Sequence, residues 1–339
     1  MRARTVREVG EFGLLERLTR MVNRAGLGAP APESPFPLLV GIGDDAAVWR
    51  SGSALEVCTT DTMVEGVHFT RETTPWEDVG WKVMVANLSD VAAMGARPLY
   101  ALVTLGLSPE TPVADVEAVY QGMIQCCREY ATHIVGGDIV ASPVTFVTVA
   151  LNGVAWGEPL LRSLVKAGDL LAVTGSLGGS RGGLEVMLRH PEVEEVGERL
   201  REAHRRPRPR LDEARVLVEE GVRAAIDVSD GLVADVSRMA LASGLAARLE
   251  ADRVPVDAAL SSVFRDEALE LALTSGEEYH LVYAAPPAVM ERTLARLPGA
   301  RMIGRGEPGR PGHVRVEGRE GREVHSSRRG WDHFRPWSS

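Results

Sequence analysis

Cysteine is nearly missing from this chain. Its 339 residues carry only Cys58, Cys126 and Cys127, an odd number with two adjacent, which argues against a disulfide framework. No Cys-x-x-Cys pair occurs, so a structural zinc site has no support, and a reducing, cytoplasmic compartment is the simplest expectation. Basic residues are in deficit: 38 Lys and Arg against 47 Asp and Glu give a formal charge of −9, which weighs against nucleic-acid binding. Long uncharged apolar runs are missing too, so no membrane span is expected, and Arg2 and Arg4 are not followed by the apolar stretch of a signal peptide. Two common nucleotide-binding signatures are also lacking. There is no Gly-x-x-x-x-Gly-Lys-[Ser/Thr] loop, the glycine-rich segment fails Gly-x-Gly-x-x-Gly spacing, and no short-period repeat is visible.

What is present is an ordinary globular composition, 45% hydrophobic and 25% charged, over a length that suggests two domains. Phe12, Leu15, Leu18 and Val22 recur at helical spacing over 11–25, and a proline-bearing connection follows at 30–37. Strands are expected at 40–48, 55–60, 99–107 and 144–154, and helices at 76–94 and 112–131. A second unit begins near 155. It has strands at 169–174, 224–228, 281–284 and 301–304, helices at 181–190, 210–220 and from 231 to about 243, a basic surface loop at 204–210 and a loop-rich tail from 306. Strands and helices alternate twice, which predicts two α/β domains, 1–154 and 155–339.

The informative feature is where the aspartates fall. Asp44 and Asp45, Asp61, Asp138, and Asp227 with Asp230 each sit beside a short apolar, strand-like run. Asp90 lies instead in a helix, where Lys82, Ala86 and Asp90 repeat every four positions and share one face, as do Asn87 and Asp90. Taken singly, an Asp beside Gly is more often a turn or cap residue, and Asp230 before Gly231 reads equally as an N-cap. Their number and their apolar flanks tilt the balance. Buried carboxylates need partners, and basic residues are scarce in these segments, so a hard divalent cation that joins protein carboxylates to phosphates becomes the expectation. The segment Gly175-Ser176-Leu177-Gly178-Gly179 follows a strand and opens a helix; it suits an anion held on backbone N–H groups and a tight turn equally well.

Read in order, the segments Gly10-Glu11-Phe12, Gly43-Asp44-Asp45-Ala46-Ala47-Val48, Thr59-Thr60-Asp61-Thr62-Met63-Val64-Glu65-Gly66-Val67-His68-Phe69, Asn87-Leu88-Ser89-Asp90-Val91-Ala92-Ala93-Met94-Gly95-Ala96, Gly136-Gly137-Asp138, Val173-Thr174-Gly175, Ile226-Asp227-Val228-Ser229-Asp230-Gly231-Leu232, Ser275-Gly276-Glu277-Glu278-Tyr279 and Gly330-Trp331-Asp332-His333-Phe334 resemble the thiamine-monophosphate kinase family. That family belongs to the superfamily that includes aminoimidazole ribonucleotide synthetase. The resemblance spans nearly the whole chain. It implies two α/β domains of the synthetase type, an N-terminal sheet that contributes to a homodimer, and an active site between the domains. It implies ATP and thiamine phosphate as substrates and several Mg²⁺ ions as cofactors. By motif, Asp45, Thr59, Thr60, Asp61, Asp90, Asp138, Asp227 and Asp230 would hold metal. Tyr120, Gly137, Asp138, Arg162 and Ser229 would contact ATP, and His68, Glu277 and Trp331 would lie at thiamine phosphate.

Each of these residues also has a plainer reading. Trp331 alone would be a tail aromatic packed on the domain, His68 a core or surface histidine, Arg162 one surface arginine among many, and Glu277-Glu278 a solvated turn. The chain also departs from the family pattern. Gly-Glu-Asp-Tyr-Glu-Leu becomes Gly276-Glu277-Glu278-Tyr279-His280-Leu281, Gly-Gly-Asp-Thr ends in Ile139, and Ser-Gly-Ala-Lys after Arg162 becomes Ser163-Leu164-Val165-Lys166. Rival readings are another ATP-dependent ligase-like enzyme of the superfamily and a non-catalytic nucleotide- or metal-binding dimer. Selenophosphate synthetase and the hydrogenase-maturation relative are disfavoured, because no cysteine precedes Cys58 and the chain ends Pro336-Trp337-Ser338-Ser339.

Overall fold

The structure, a computed structural model, describes residues 37–318, Glu323, Val324 and five positions between 13 and 24. The helix expected over 11–25 and the connection at 30–37 fall largely outside these residues, and Trp331 lies wholly outside them.

The first sheet is built from β1 (Leu38–Val40), β2 (Ala47–Ser51), β3 (Ala54–Val64), β4 (Ala96–Leu107), β5 (His133–Ala141) and β6 (Phe146–Ala155), in the order β1-β2-β3-β6-β4-β5. Only β4 and β5 run parallel, and helix α2 (Val113–Glu129) is their crossover. The second sheet holds β7 (Leu170–Val173), β8 (Ala224–Asp227), β9 (Ala246–Glu250), β10 (Leu281–Ala285), β11 (Arg301–Glu307) and β12 (Val314–Glu317), in the order β12-β9-β11-β7-β10-β8. Around it lie α3 (Gly179–Arg189), α4 (Glu195–Arg205), α5 (Leu211–Glu219), α6 (Leu232–Ala242), α7 (Ala258–Phe264), α8 (Ala268–Thr274) and α9 (Pro287–Arg296). The change of sheet falls within 156–169.

Helix α1 (Trp76–Ala93) joins the two halves. Fourteen of its eighteen residues are buried, so it is covered on every side. Val83, Leu88 and Val91 belong to one hydrophobic cluster with Val57, Val149 and Leu151 of the first sheet and with Ala225, Leu281 and Tyr283 of the second. Its crossing with α2 is close because Gly80 and Gly122 face the partner backbone. A Cβ on Gly80 would fall 1.8 Å from the Val119 carbonyl oxygen, and one on Gly122 would fall 1.7 Å from that of Glu77. The other face of β7, β8 and β10 packs a second cluster, in which Leu171, Ile226 and Val282 meet Leu232, Val236 and Met239 of α6.

Several elements differ from expectation. The segment 40–48 is not one strand: β1 ends at Val40, β2 starts at Ala47, and the acidic residues occupy the loop between them. The segment 204–210 is not a free surface loop. His204 and Arg205 end α4, a helix whose charged sequence gives little apolar signal. The rest is pinned to α1: Trp81 Nε1 donates to the Pro207 carbonyl at 2.8 Å, and Arg206 pairs with Glu77 and Asp78. The tail contributes β12, which runs parallel to β9.

Candidate active site

Three carboxylates from three parts of the chain meet at one point. Asp45 comes from the β1–β2 loop, Asp90 from the last turn of α1 and Asp227 from the end of β8; one oxygen of each lies within 4.8 Å of the others. Hydrogen bonds orient the set. Thr59 Oγ1, on β3, donates to Asp90 Oδ2 at 2.5 Å, and Ser89 Oγ donates to Asp227 Oδ2 at 2.7 Å. Asn87 Oδ1 accepts the backbone N–H of Asp61 at 3.1 Å, which ties β3 to α1. The shared helical face of Asn87 and Asp90 thus turns toward β3.

Burial acts against ionisation here. It is the main cause that pushes the Asp45 carboxyl up to about 8 and that of Asp61 up to about 6, with Asp227 adding repulsion in both cases. Asp90 and Asp227 are raised for the same first reason, and neighbouring aspartates add to it. The negative end of the α1 dipole adds to the load, because the last turn contains Asp90 and no basic residue. Basic residues, expected to be scarce, are in fact present. Arg162 pairs with Asp45 and lies 3.3 Å from Asp44, and Arg238 pairs with both Asp235 and Asp230. Two guanidiniums still face Asp44, Asp45, Asp61, Asp90, Asp227, Asp230 and Asp235. Asp45 Oδ2 is buried without a hydrogen-bond partner. An all-oxygen set in negative excess, with one orphaned buried acceptor, fits a hard cation such as Mg²⁺.

The cluster opens into a cavity of about 480 Å³. Of the residues singled out in the sequence, Asp61, His68, Asp90, Asp227, Ser229, Asp230 and Glu277 line it. Asp45 and Thr59 stand behind that wall. His68 Nδ1 accepts the Val64 N–H at 3.1 Å, so its place follows from the turn after β3. Glu277 is held in a left-handed conformation (φ 56°), as is Tyr279 (φ 51°). Their loop is pinned by N–H bonds from Glu277 to the Ser229 carbonyl and from Glu278 and Tyr279 to that of Val228. Such backbone, costing about 1–3 kcal/mol per residue, tends to persist at functional sites.

Four predicted residues stand elsewhere in the chain. Thr60 alternates with Thr59 and Asp61 on β3, so its hydroxyl lies on the opposite face of the sheet and donates to Val149 O at 3.0 Å. Asp138 and Gly137 sit on the exposed edge strand β5, three strands from β3. Asp138 aligns with Thr104, Thr148 and Thr62 in one row, on the face away from Asp61. Tyr120 packs against the first core from α2 and does not line the cavity. Arg162 is beside the cluster, engaged by the acidic loop.

The chain also matches known proteins. The AIR synthase related protein families match in sequence order, the N-terminal domain over residues 43–157 and the C-terminal domain over 166–317. The thiamine-monophosphate kinase of Mycobacterium tuberculosis is 36% identical over 301 residues, covering 86% of each chain, and that of Aquifex aeolicus is 34% identical, covering 97% of this chain and 99% of its own. This chain belongs to the thiamine-monophosphate kinase family. The solved structure of AaThiL complexed with AMPPCP and TMP superposes with a TM-score of 0.84 at 33% identity, covering 98% of this chain and all of that one.

Two of the departures from the thiamine-monophosphate kinase pattern, Glu278 and His280, have local physical explanations. Glu278 is buried, not a solvated turn. Its Oε1 accepts from the N–H groups of Gly178 and Ser180 and from the Ser275 hydroxyl, so it caps the start of α3, and burial pushes it up to about 7. The Gly175–Gly179 turn therefore already carries a protein carboxylate at its helix end. His280 is buried too, with Nδ1 3.2 Å from Thr174 Oγ1 and Nε2 3.0 Å from an Arg210 nitrogen. Burial first, and Arg210 second, hold its pKa well below the usual value, so it is neutral where the family has an acid. Sequence reasoning missed Asp235, whose Oδ2 accepts the N–H groups of Ser229, Asp230 and Gly231. Its signal was the spacing of an acid four residues into the helix after Gly231. It also missed Lys82 and His204 as site residues.

Proposed function

We propose that this chain transfers the terminal phosphoryl group of ATP to thiamine phosphate, giving thiamine diphosphate and ADP. The observation that carries this reading is the meeting of Asp45, Asp90 and Asp227 at one point, where Asp90 and Asp227 line, with Asp45 behind them, a cavity that also bears His68 and Glu277. The relative AaThiL, solved with AMPPCP and TMP, supports the same substrate pair. The three aspartates, with Asp61 and Asp230 beside them, are read as the Mg²⁺-holding set, with Thr59 orienting Asp90. When bound, Mg²⁺ offsets the charge of two phosphate-bearing reactants that would otherwise repel each other. Ser229 and Arg162 are assigned to ATP. His68, Glu277 and Trp331 are assigned to thiamine phosphate, with the Trp331 indole suited to a cationic thiazolium. The acceptor phosphate is itself the nucleophile, so no covalent enzyme intermediate is required.

The same proposal includes a homodimer. Tyr100 and Leu102 of β4 and Val135, Ile139 and Val140 of β5 are large apolar side chains left exposed on the first sheet. A second copy packed there would bury them and would bring Gly137 and Asp138, remote from their own cluster, beside other groups. The three free cysteines suit a reducing cytoplasm; no helix among the described residues is long and apolar enough to cross a membrane. Purified protein incubated with ATP, Mg²⁺ and thiamine phosphate should yield thiamine diphosphate and ADP in equal amounts. ADP with free phosphate and no diphosphate would favour a ligase-like enzyme, and binding without turnover a non-catalytic dimer.

A further inference from the structure

Behind Glu277 lies a buried chain of polar groups that the reaction as described does not use. Lys82 Nζ is 2.7 Å from Glu277 Oε2 and 3.2 Å from His204 Nε2, and His204 Nδ1 is 3.2 Å from Ser180 Oγ. The Lys82 side chain is 0% exposed, and Glu277 is the only carboxylate among the described residues that pairs with it. These groups come from separate elements: Lys82 from the middle of α1, His204 from the end of α4, Ser180 from the first turn of α3, and Glu277 from the strained loop before β10. An ammonium donates only, so His204 Nε2 must accept, which leaves the ring proton on Nδ1 for the Ser180 hydroxyl. Burial and the Lys82 charge both keep His204 neutral.

The geometry assigns Lys82, backed by His204, as the positioning residue for Glu277: it fixes the carboxylate through Oε2 and leaves Oε1 to the cavity. Among the described residues, the ion pairs and the hydrogen bond of this carboxylate all run through Oε2. A buried lysine is costly without a carboxylate partner, and a carboxylate at a cavity wall is free to rotate without a fixed one. The pair therefore holds one acceptor oxygen of fixed direction on the wall of the cavity that the metal-holding Asp90 and Asp227 also line. That arrangement selects an acceptor with a cationic or N–H-bearing heterocycle, apart from the phosphoryl-transfer step itself. Lys82 and Asp90 share one face of α1, two helical repeats apart, so one helix sets both the metal wall and the acceptor wall.

This inference rests on Glu277 facing thiamine phosphate, and a double-mutant cycle tests it. Lys82→Met should raise the acceptor KM about tenfold or more, with the KM for ATP within about twofold. Lys82→Arg should recover part of the loss. In a Glu277→Gln background, Lys82→Met should add little, because its effect passes through the lost carboxylate. Equal, additive effects of Lys82→Met in both backgrounds would overturn the assignment, as would a loss shared evenly between ATP and acceptor. Direct binding of thiamine phosphate to the wild type separates the two levels: no binding there refutes the substrate reading, whereas binding with additive mutants refutes only the role of Lys82. Should Lys82→Met fail to fold, His204→Gln in both backgrounds gives the same cycle, and additivity there would overturn the assignment equally.

Discussion

Two acid-rich regions of this molecule behave in opposite ways. On the outer surface, Glu219 and Glu220 at the end of α5 are met by Arg215, Arg292 and Arg296, and hydrogen bonds from Arg296 lead the causes that hold both carboxyls below their ordinary values. In the cleft, Asp45, Asp61, Asp90 and Asp227 have fewer cationic partners than charges, and burial drives all four upward. The residue types match, but the electrostatic balance does not. The surface set is complete as a protein structure, whereas the cleft set is complete only with protons or with a cation. That contrast is the physical basis for reading the cleft as functional.

The sharpest way to break the comparison is to neutralise one member of each set. Asp90→Asn should lower turnover by on the order of a thousandfold, because a charge held for the metal is lost, while the fold survives. Turnover near the wild-type rate at saturating Mg²⁺ would sink the assignment. Next comes metal linkage. With the carboxyls of Asp45 and Asp61 raised above unfolded values near 4, the metal-free native state holds more protons than the unfolded one. Stability from this cluster is therefore present below about pH 4 and is lost as pH rises through about 6 to about 8. A cation displaces those protons, so the thermal shift produced by Mg²⁺ should grow from pH 5 to pH 8, reaching several degrees at about a hundred times Kd. A shift independent of pH, or retained in Asp227→Asn, would contradict it. The neutral, buried His204 and His280 act oppositely: their depressed pKa values give stability above pH ~6.5 that is lost below it. The pH series is thus best read as the difference with and without metal.

A smaller effect is expected at the acceptor end. Trp331→Ala should raise the acceptor KM by about tenfold and leave that for ATP nearly unchanged, consistent with loss of a cation–π contact. The reverse pattern would reassign the residue. The smallest effect belongs to the surface set. Glu220→Gln should move Tm by no more than about 2 °C and leave activity intact, since exposed ion pairs are screened by water. A large activity loss there would erase the distinction between the two regions.

How much of this was legible in the sequence depends on the range of the interaction. Asp90 could be placed on a helix face with Lys82 and Asn87 because the helical period is local, and that face does turn toward β3 and the cavity. The α/β character of the two halves followed from alternating patterns in the same way. Strand alternation also carried a warning that was not used: Thr59 and Thr60 are neighbours, so only one of their hydroxyls can point at Asp90. Long-range pairing was invisible. Nothing in the basic run 204–210 reveals that Pro207 accepts from Trp81 or that His204 meets Lys82, 122 residues away. Likewise, the Glu277-Glu278 pair has the look of a solvated turn, and only the fold separates a cap on α3 from a carboxylate at the cavity.

The most direct test of the converging-carboxylate account is diffraction from crystals grown with Mn²⁺ as the anomalous scatterer, together with a non-hydrolysable ATP analogue. The account predicts an anomalous peak within coordination distance of oxygens from Asp45, Asp90 and Asp227, with the nucleotide phosphates on its open side. Phosphates bound in the cavity with no peak between these three carboxylates would contradict it.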